Sequence, residues 1–333
     1  MVIPRPIVVL GPTAAGKSEL AVAIGEHIGG QIISADSMQV YRHMNVGTAK
    51  PSVQLRRKVT HHLIDVIEPV QCFTVADWHH QTQMLIPDLQ DRGIHPIVVG
   101  GTNLYIKAML EGLFEGPPAN PQLRAELAEV HCSTLHQRLA KVDPTSAQRI
   151  DSNDRRRMVR AIEVYQATGK PLSQWQTQWN PPQQGTGRAN SQSNSQDNAS
   201  TYHHNPFIIG LQWSVEGINR RINQRAKQMF FPEPDGIETE YKETLIDETR
   251  HLLNADLLGP QSRQALGYKQ VIEYLEGRST AQQAFERTKI MTRRMAKMQR
   301  TWMRRFANVH WLPCDDRDTS KIIDEALGAL RCL

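Results

Sequence analysis

The chain has 333 residues, 39% of them apolar and 22% charged, enough to build one large or two ordinary hydrophobic cores, so wholesale disorder is excluded. No apolar run approaches the roughly 18 residues of a spanning helix, and the four cysteines are scattered, which excludes a disulfide framework and a zinc site. The net charge of +5 is a weak pointer to a polyanionic partner unless the positive residues cluster.

Taken in order, Ile7-Val8-Val9-Leu10 reads as a buried strand stopped by Gly11. Lys17 to Ile28 has helical period, with Leu20, Ile24, His27 and Ile28 on one side. Strands follow at Gln31–Ser34, His61–Ile67 and Pro96–Val99, with helices at Val75–Leu89 and Tyr105–Leu110 between and after them. This alternation predicts an α/β fold, a parallel sheet covered by helices on both faces. Residues 1–118 read as the first part of that core. Residues 119–173 show helical periods only, the clearest over Arg155–Ala167 with Met158, Ile162 and Tyr165 on one face. Residues 174–205 are rich in Gln, Asn, Ser and Gly, a composition that cannot offset its ordering entropy, so a mobile insertion is expected. Residues 206–333 return to the core, with strands at Phe207–Leu211 and Val309–Leu312.

Gly11-Pro12-Thr13-Ala14-Ala15-Gly16-Lys17-Ser18 fits the phosphate-loop pattern G-x-x-x-x-G-K-[ST], placed as that pattern requires between a strand and a helix. Its glycines permit a tight turn whose N–H groups face an anion. Lys17 adds a charge, the helix its N-terminal dipole, and the Ser18 hydroxyl a ligand for Mg2+. No apolar strand ends in an acid of the kind that holds magnesium in nucleotide hydrolases. Asp36 follows the strand at Ile32 and is either a turn carboxylate or a group facing the ligand cleft beyond the strand ends. Thr102 and Asn103, after Gly100-Gly101, either cap the next helix or reach the same cleft.

Basic residues do cluster. Arg155, Arg156, Arg157 and Arg160 share one helix. From Arg287 to Arg305 there are eight basic residues and no acid, with Arg293, Lys297, Arg300 and Arg304 on one helical face and Met291, Met295, Met298 and Trp302 opposite, on what reads as the packed side. A stripe of one sign points to a phosphate backbone. Arg221 and Arg225 lie one turn apart on a further helix, and spacing does not choose between them.

The segments GPTAAGKS, ADSMQVYRHMNVGTAKP, HHLIDV, VVGGTNLYIKAML, NDRRRMVRAIEVY, QALGYKQVIEYLEG and TRRMAKMQRTWMRR together resemble the bacterial tRNA isopentenyltransferase family, the tRNA dimethylallyltransferases, in family order over most of the chain. The Gln/Asn/Ser-rich stretch departs from that pattern. The resemblance implies a P-loop NTPase-like core with a helical, tRNA-clasping insertion. It implies transfer of a dimethylallyl group from dimethylallyl diphosphate to the exocyclic N6 amine of adenosine 37, beside the anticodon, in a flipped-out base. By the same resemblance Asp36 is the base, Thr13 and an arginine of the Arg221/Arg225 pair assist the diphosphate, and Gly11 to Ser18 cradle it. Asp36, Ser37, Met38, Gln39, Thr102, Arg124, Arg157 and Arg160 then meet the tRNA anticodon stem-loop, as do Arg293, Lys297 and Arg300 of the basic stripe. Arg156 stands where the family's Q-R-x-x-R element has Gln, which leaves its contact open. A cytoplasmic monomer, unattached to membrane, is expected. The competing classes are an adenylate isopentenyltransferase, a P-loop kinase, and an RNA-binding protein without catalysis.

Overall fold

A computed structural model of the chain describes residues 4–114, 116–176, 202–232 and 243–330. In order, the elements are β1 (Ile7–Leu10), α1 (Lys17–Ile28), β2 (Gln31–Ser34), α2 (Val53–Lys58), β3 (His61–His62), α3 (Val75–Asp91), β4 (Pro96–Val99) and α4 (Asn103–Glu111). Next come α5 (Pro121–Ala128), α6 (Cys132–Val142), α7 (Pro144–Arg149), α8 (Arg155–Thr168) and α9 (Leu172–Trp175). The chain continues through β5 (Phe207–Gln212), α10 (Val215–Phe230), α11 (Leu245–Asn254), α12 (Tyr268–Leu275), α13 (Ala281–Met303), β6 (Val309–Pro313) and α14 (Thr319–Leu330). It divides into two compact units, Met1–Leu110 with Ser200–Leu333, and Glu111–Ala199.

The first unit holds one six-stranded sheet in the order β3-β2-β4-β1-β5-β6, with every pairing parallel. Alternation along its strands separates two cores. Val8, Leu10, Ile33, Val98 and Ile208 face one side, with Trp78 and Ile86 of α3 and Tyr105 and Met109 of α4. Ile7, Val9, Ile32, Ile97, Val99 and Ile209 face the other, with Leu20 and Ile24 of α1 and Ile322 of α14. A sheet buried on both faces needs the near-continuous Val/Ile runs seen here. β1 leads to β2 on one side of it, whereas β4, its neighbour, leads to β5 on the other. Such a reversal opens a crevice at the carboxyl ends of the two central strands.

Three local expectations change. β3 stops at His62 because Leu63 (φ 61°) and Asp65 (φ 57°) leave the extended region. Asp65 instead pairs with buried Lys50 and with Arg56, each at 2.6 Å. On α1, His27 is exposed, and the small Ala21 and Gly25 are buried. The Gln/Asn/Ser-rich insertion lies outside the described residues from 177 to 201, but its margins are built in. Trp175 ends α9, and the Tyr202 hydroxyl accepts the Ala307 N–H at 2.8 Å.

The second unit is all helical around Leu135, Leu139, Met158, Ile162 and Leu172. Buried Asp143 accepts from the N–H and hydroxyl groups of both Ser146 and Ser173, tying α7 to α9.

Candidate active site

The loop after β1 turns into α1 through Ala14 (φ 65°) and Gly16 (φ 93°), the left-handed region in which glycine is unstrained. Within it, Thr13 N–H donates to Gln299 Oε1 at 2.8 Å and Ala15 N–H to Pro12 O at 3.2 Å. The N–H groups of Gly16, Lys17 and Ser18 have no acceptor among the described residues, and they sit at the positive end of α1. Lys17 Nζ donates to Pro12 O at 2.9 Å. Burial pushes the Lys17 ammonium down to about 8, against the pull of the Asp36 carboxylate.

Asp36 follows β2 and lines the same cavity. Oδ1 accepts the Met38 N–H at 2.9 Å, as a turn carboxylate does, while Oδ2 has no hydrogen-bond donor among the described residues. Both sequence alternatives therefore hold, one for each oxygen. Thr102 does not cap α4 with its side chain; its Oγ1 accepts the Ser37 N–H at 2.9 Å. Gln39 is tied within its own loop, accepting from Ser34 Oγ and donating to the carbonyls of Thr48 and Ala49. Met38 packs partly against the core. Gly100 permits the close approach of these two strand ends, since a Cβ there would lie 2.1 Å from the Ala35 carbonyl oxygen.

α10 supplies both arginines. Arg221 Nε donates to Ala14 O at 2.6 Å, and its guanidinium lies 4.9 Å from the Trp213 ring centroid; Arg225 donates to Thr13 Oγ1. The choice that spacing left open has no single answer, because both face the cavity. Since Thr13 Oγ1 accepts from Arg225, its own proton is left to donate outward.

The resulting cavity measures about 310 Å3, at the small end of ligand pockets. Its cationic lining comes from the loop after β1 and from α10, its apolar lining from Ile32, Pro51, Leu55, Ile64 and Val99. Glu19, His61, Gln224 and Gln228 also line it and were missed from the sequence. His61 opens the HHLIDV segment but was read there only as the start of a strand; Gln224 and Gln228 sit on the same helix flank as Arg221 and Arg225, a spacing that was there to read.

Among the described residues no cluster of three or more His, Cys, Asp or Glu forms a metal centre. A magnesium ion that rides on substrate phosphates needs none, since it keeps most of its waters. The Ser18 hydroxyl makes no hydrogen bond among the described residues, and Glu19 and Asp36 line the same cavity, so the residues present fit such an ion.

The basic helices need correction. α13 does not pack through Met291 and Met298, which are 40% and 61% exposed. The buried face is Ala284, Thr288, Thr292, Ala296, Gln299 and Met303. Small residues let the helix sit close, and both threonine hydroxyls are satisfied by the carbonyl four residues back, at 2.8 and 2.7 Å. Arg287 and Lys289 pair with Glu273 and Glu286. Among the described residues, Arg293, Arg294, Lys297, Arg300, Arg304 and Arg305 pair with no carboxylate, so the stripe survives from Arg293 onward, although Arg293 also donates to Asn223 Oδ1. In the second unit the charge is partly compensated. Glu163, itself buried, accepts both Arg124 (2.8 and 2.9 Å) and Arg160 (2.6 Å), and Arg157 lies 3.4 Å from Asp154. Arg156 is exposed.

A parallel sheet with a phosphate loop at its switch point, two arginines hydrogen-bonded to that loop and a carboxylate in the same cavity make a P-loop-like α/β protein with an anion-binding cleft. The family follows from comparison. The family model described as IPP transferase matches residues 39–306, and the chain belongs to that family. A tRNA dimethylallyltransferase of Geobacter sulfurreducens is 40% identical over 314 residues, 92% of this chain and 91% of that protein. The solved tRNA isopentenylpyrophosphate transferase of Bacillus halodurans is 34% identical, with a TM-score of 0.67 over 98% of this chain and 95% of that one. That of Staphylococcus epidermidis is 31% identical, with a TM-score of 0.66 over 99% and 100%. No described helix is long and apolar enough to cross a membrane.

Proposed function

We propose that this chain transfers the dimethylallyl group of dimethylallyl diphosphate to the N6 amine of the adenosine beside the anticodon of tRNA. The observation that carries this reading is that Asp36 lines the same cavity as the phosphate cradle, with one carboxylate oxygen that has no donor among the described residues. The amine nitrogen bonds to the allylic carbon as the carbon–oxygen bond to diphosphate breaks. The amine's proton passes to Asp36 Oδ2, and the electron pair leaves with diphosphate. N6 is a weak nucleophile because its lone pair is shared with the ring, so a carboxylate that takes its proton as the bond forms lowers the barrier. Lys17, the N–H groups of Gly16 to Ser18, Arg221, Arg225 and the outward hydroxyl of Thr13 meet the charge growing on the leaving group. Magnesium, held by Ser18 and the diphosphate, would add further charge neutralisation there. The apolar lining suits a five-carbon chain and excludes the water that would hydrolyse it.

The base must leave the anticodon loop to reach the cleft, which costs less there than in a duplex. The stripe of α13 and the exposed Arg156 and Arg157 of α8 are the backbone contacts. Arg124 and Arg160 are held in place for that task by Glu163. Lys297→Ala with Arg304→Ala should weaken tRNA binding and lower the slope of log K against log salt by about 1 to 2. Filter binding across a salt series checks this, and an unchanged slope removes α13 from the interface. The reading itself is tested by offering dimethylallyl diphosphate with either an anticodon stem-loop or AMP. Prenylation of the stem-loop alone supports it, and prenylation of AMP alone makes the chain an adenylate isopentenyltransferase.

The low-lying Lys17 ammonium adds a pH dependence. Below about 8 it is charged and attracts diphosphate; as pH rises through that value the empty site loses the charge. Affinity for inorganic diphosphate should therefore fall above pH 8, by up to about tenfold per unit. Calorimetric titrations at pH 7 and pH 9 give the comparison, and equal affinities would show that Lys17 does not hold the anion.

A further inference from the structure

Gln299 is the buried glutamine of α13, 7% exposed. Its side chain reaches across the carboxyl end of the sheet. Oε1 accepts the Thr13 N–H at 2.8 Å, and Nε2 donates to Gly101 O at 2.8 Å. Thr13 opens the phosphate cradle after β1, and Gly101 belongs to the turn after β4. The next residue, Thr102, holds the Ser37 N–H, and Ser37 follows Asp36. One amide therefore begins a continuous set of hydrogen bonds from the cradle to the loop carrying the carboxylate. Gly101 has to be glycine for this contact: a Cβ there would lie 2.5 Å from Gln299 Nε2. Both ends of the amide are spent, so the bridge has one orientation and one length.

We infer that Gln299 is a positioning residue of the transfer reaction, one that sets the separation of the diphosphate cradle from Asp36. The inference rests on the function proposed above. Displacement at the allylic carbon requires the amine, the carbon and the leaving oxygen in line. An error of about 1 Å in such a spacing costs about 100-fold in rate. Gln299 touches neither reacting group, so its loss should lower kcat and leave the binding of each substrate nearly intact.

The test uses the full chain with tRNA and dimethylallyl diphosphate. Gln299→Met keeps the length of the side chain and removes both hydrogen bonds. It should lower kcat about 100-fold while KM for tRNA stays within about threefold. Gln299→Glu keeps the acceptor for Thr13 N–H but sets an oxygen against Gly101 O, a contact made good only when the carboxyl carries a proton. Its rate relative to the wild type should therefore climb as pH is lowered from 8 to 6. A folded Gln299→Met with kcat within about threefold of the wild type overturns the inference, as does a loss that lies wholly in KM for tRNA. If Gln299→Met does not fold, as judged by its thermal melt, the Gln299→Glu pH profile decides, and a flat ratio counts against. Absence of transfer by the wild type would instead remove the proposed function, so the two failures are told apart.

Discussion

Asp36→Ala is expected to lower kcat for prenyl transfer by about 10²- to 10⁴-fold with little change in tRNA affinity. The size follows from the nucleophile. Without a base the amine must carry a proton it cannot hold as the new bond forms. The selectivity follows from the fold. Asp36 Oδ1 anchors only the Met38 N–H, while the loop is held independently by Thr102 on Ser37 and by Gln39 on Ser34, Thr48 and Ala49. Loss of the carboxylate therefore leaves the loop in place. Asp36→Asn separates the two duties: it keeps the oxygen that accepts from Met38 and removes the base. Single-turnover rates and filter binding on both variants read the result. A collapse of tRNA binding in Asp36→Ala that Asp36→Asn restores, together with activity, would make Asp36 structural.

The second large effect is at Lys17. Lys17→Ala removes the ammonium that lines the cavity beside the cradle, and the rate should fall by about 10²- to 10³-fold, the range for removal of a preorganised charge-stabilising donor. Because the group is desolvated when the site is empty and needed when charge develops, the loss should appear in kcat as well as in the affinity for diphosphate. The variant should also lose the decline in diphosphate affinity above pH 8. Lys17 is only partly buried and lines the cavity, so its removal should not unfold the chain. A thermal melt matching the wild type, with activity gone, is the expected pair of observations; wild-type activity would move the leaving group away from this loop.

Much of this architecture was legible because its signals are local. Short apolar runs marked five of the six described strands within a residue of their ends, and a phosphate loop is defined by contiguous residues. The family motifs placed Asp36 and the arginines in one cleft. What escaped depends on partners far along the chain. The packed face of α13 looked like its methionines because hydrophobicity is the usual guide. Close approach instead selected Ala284, Ala296 and two threonines whose hydroxyls bond to their own helix. The Arg155–Arg160 helix read only as a basic cluster, whereas Glu163 neutralises Arg160 and also binds Arg124 from a different helix. Arg160 and Glu163 are three apart, so half of that arrangement could have been read. Gln299 gave no signal at all, since a glutamine in a basic helix reads as solvated until Thr13 and Gly101 are seen on either side of it.

The claim that joins these parts is that one cleft brings a prenyl diphosphate and an extruded adenosine together. Incubation of the chain with isotopically labelled dimethylallyl diphosphate and bulk tRNA, followed by nuclease digestion and mapping of the label, tests it most directly. Label on the N6 amine of the adenosine immediately 3′ of the anticodon, in a subset of tRNAs, is the predicted result. Label on another nucleotide or on free AMP, or release of diphosphate with no label in RNA, would contradict it.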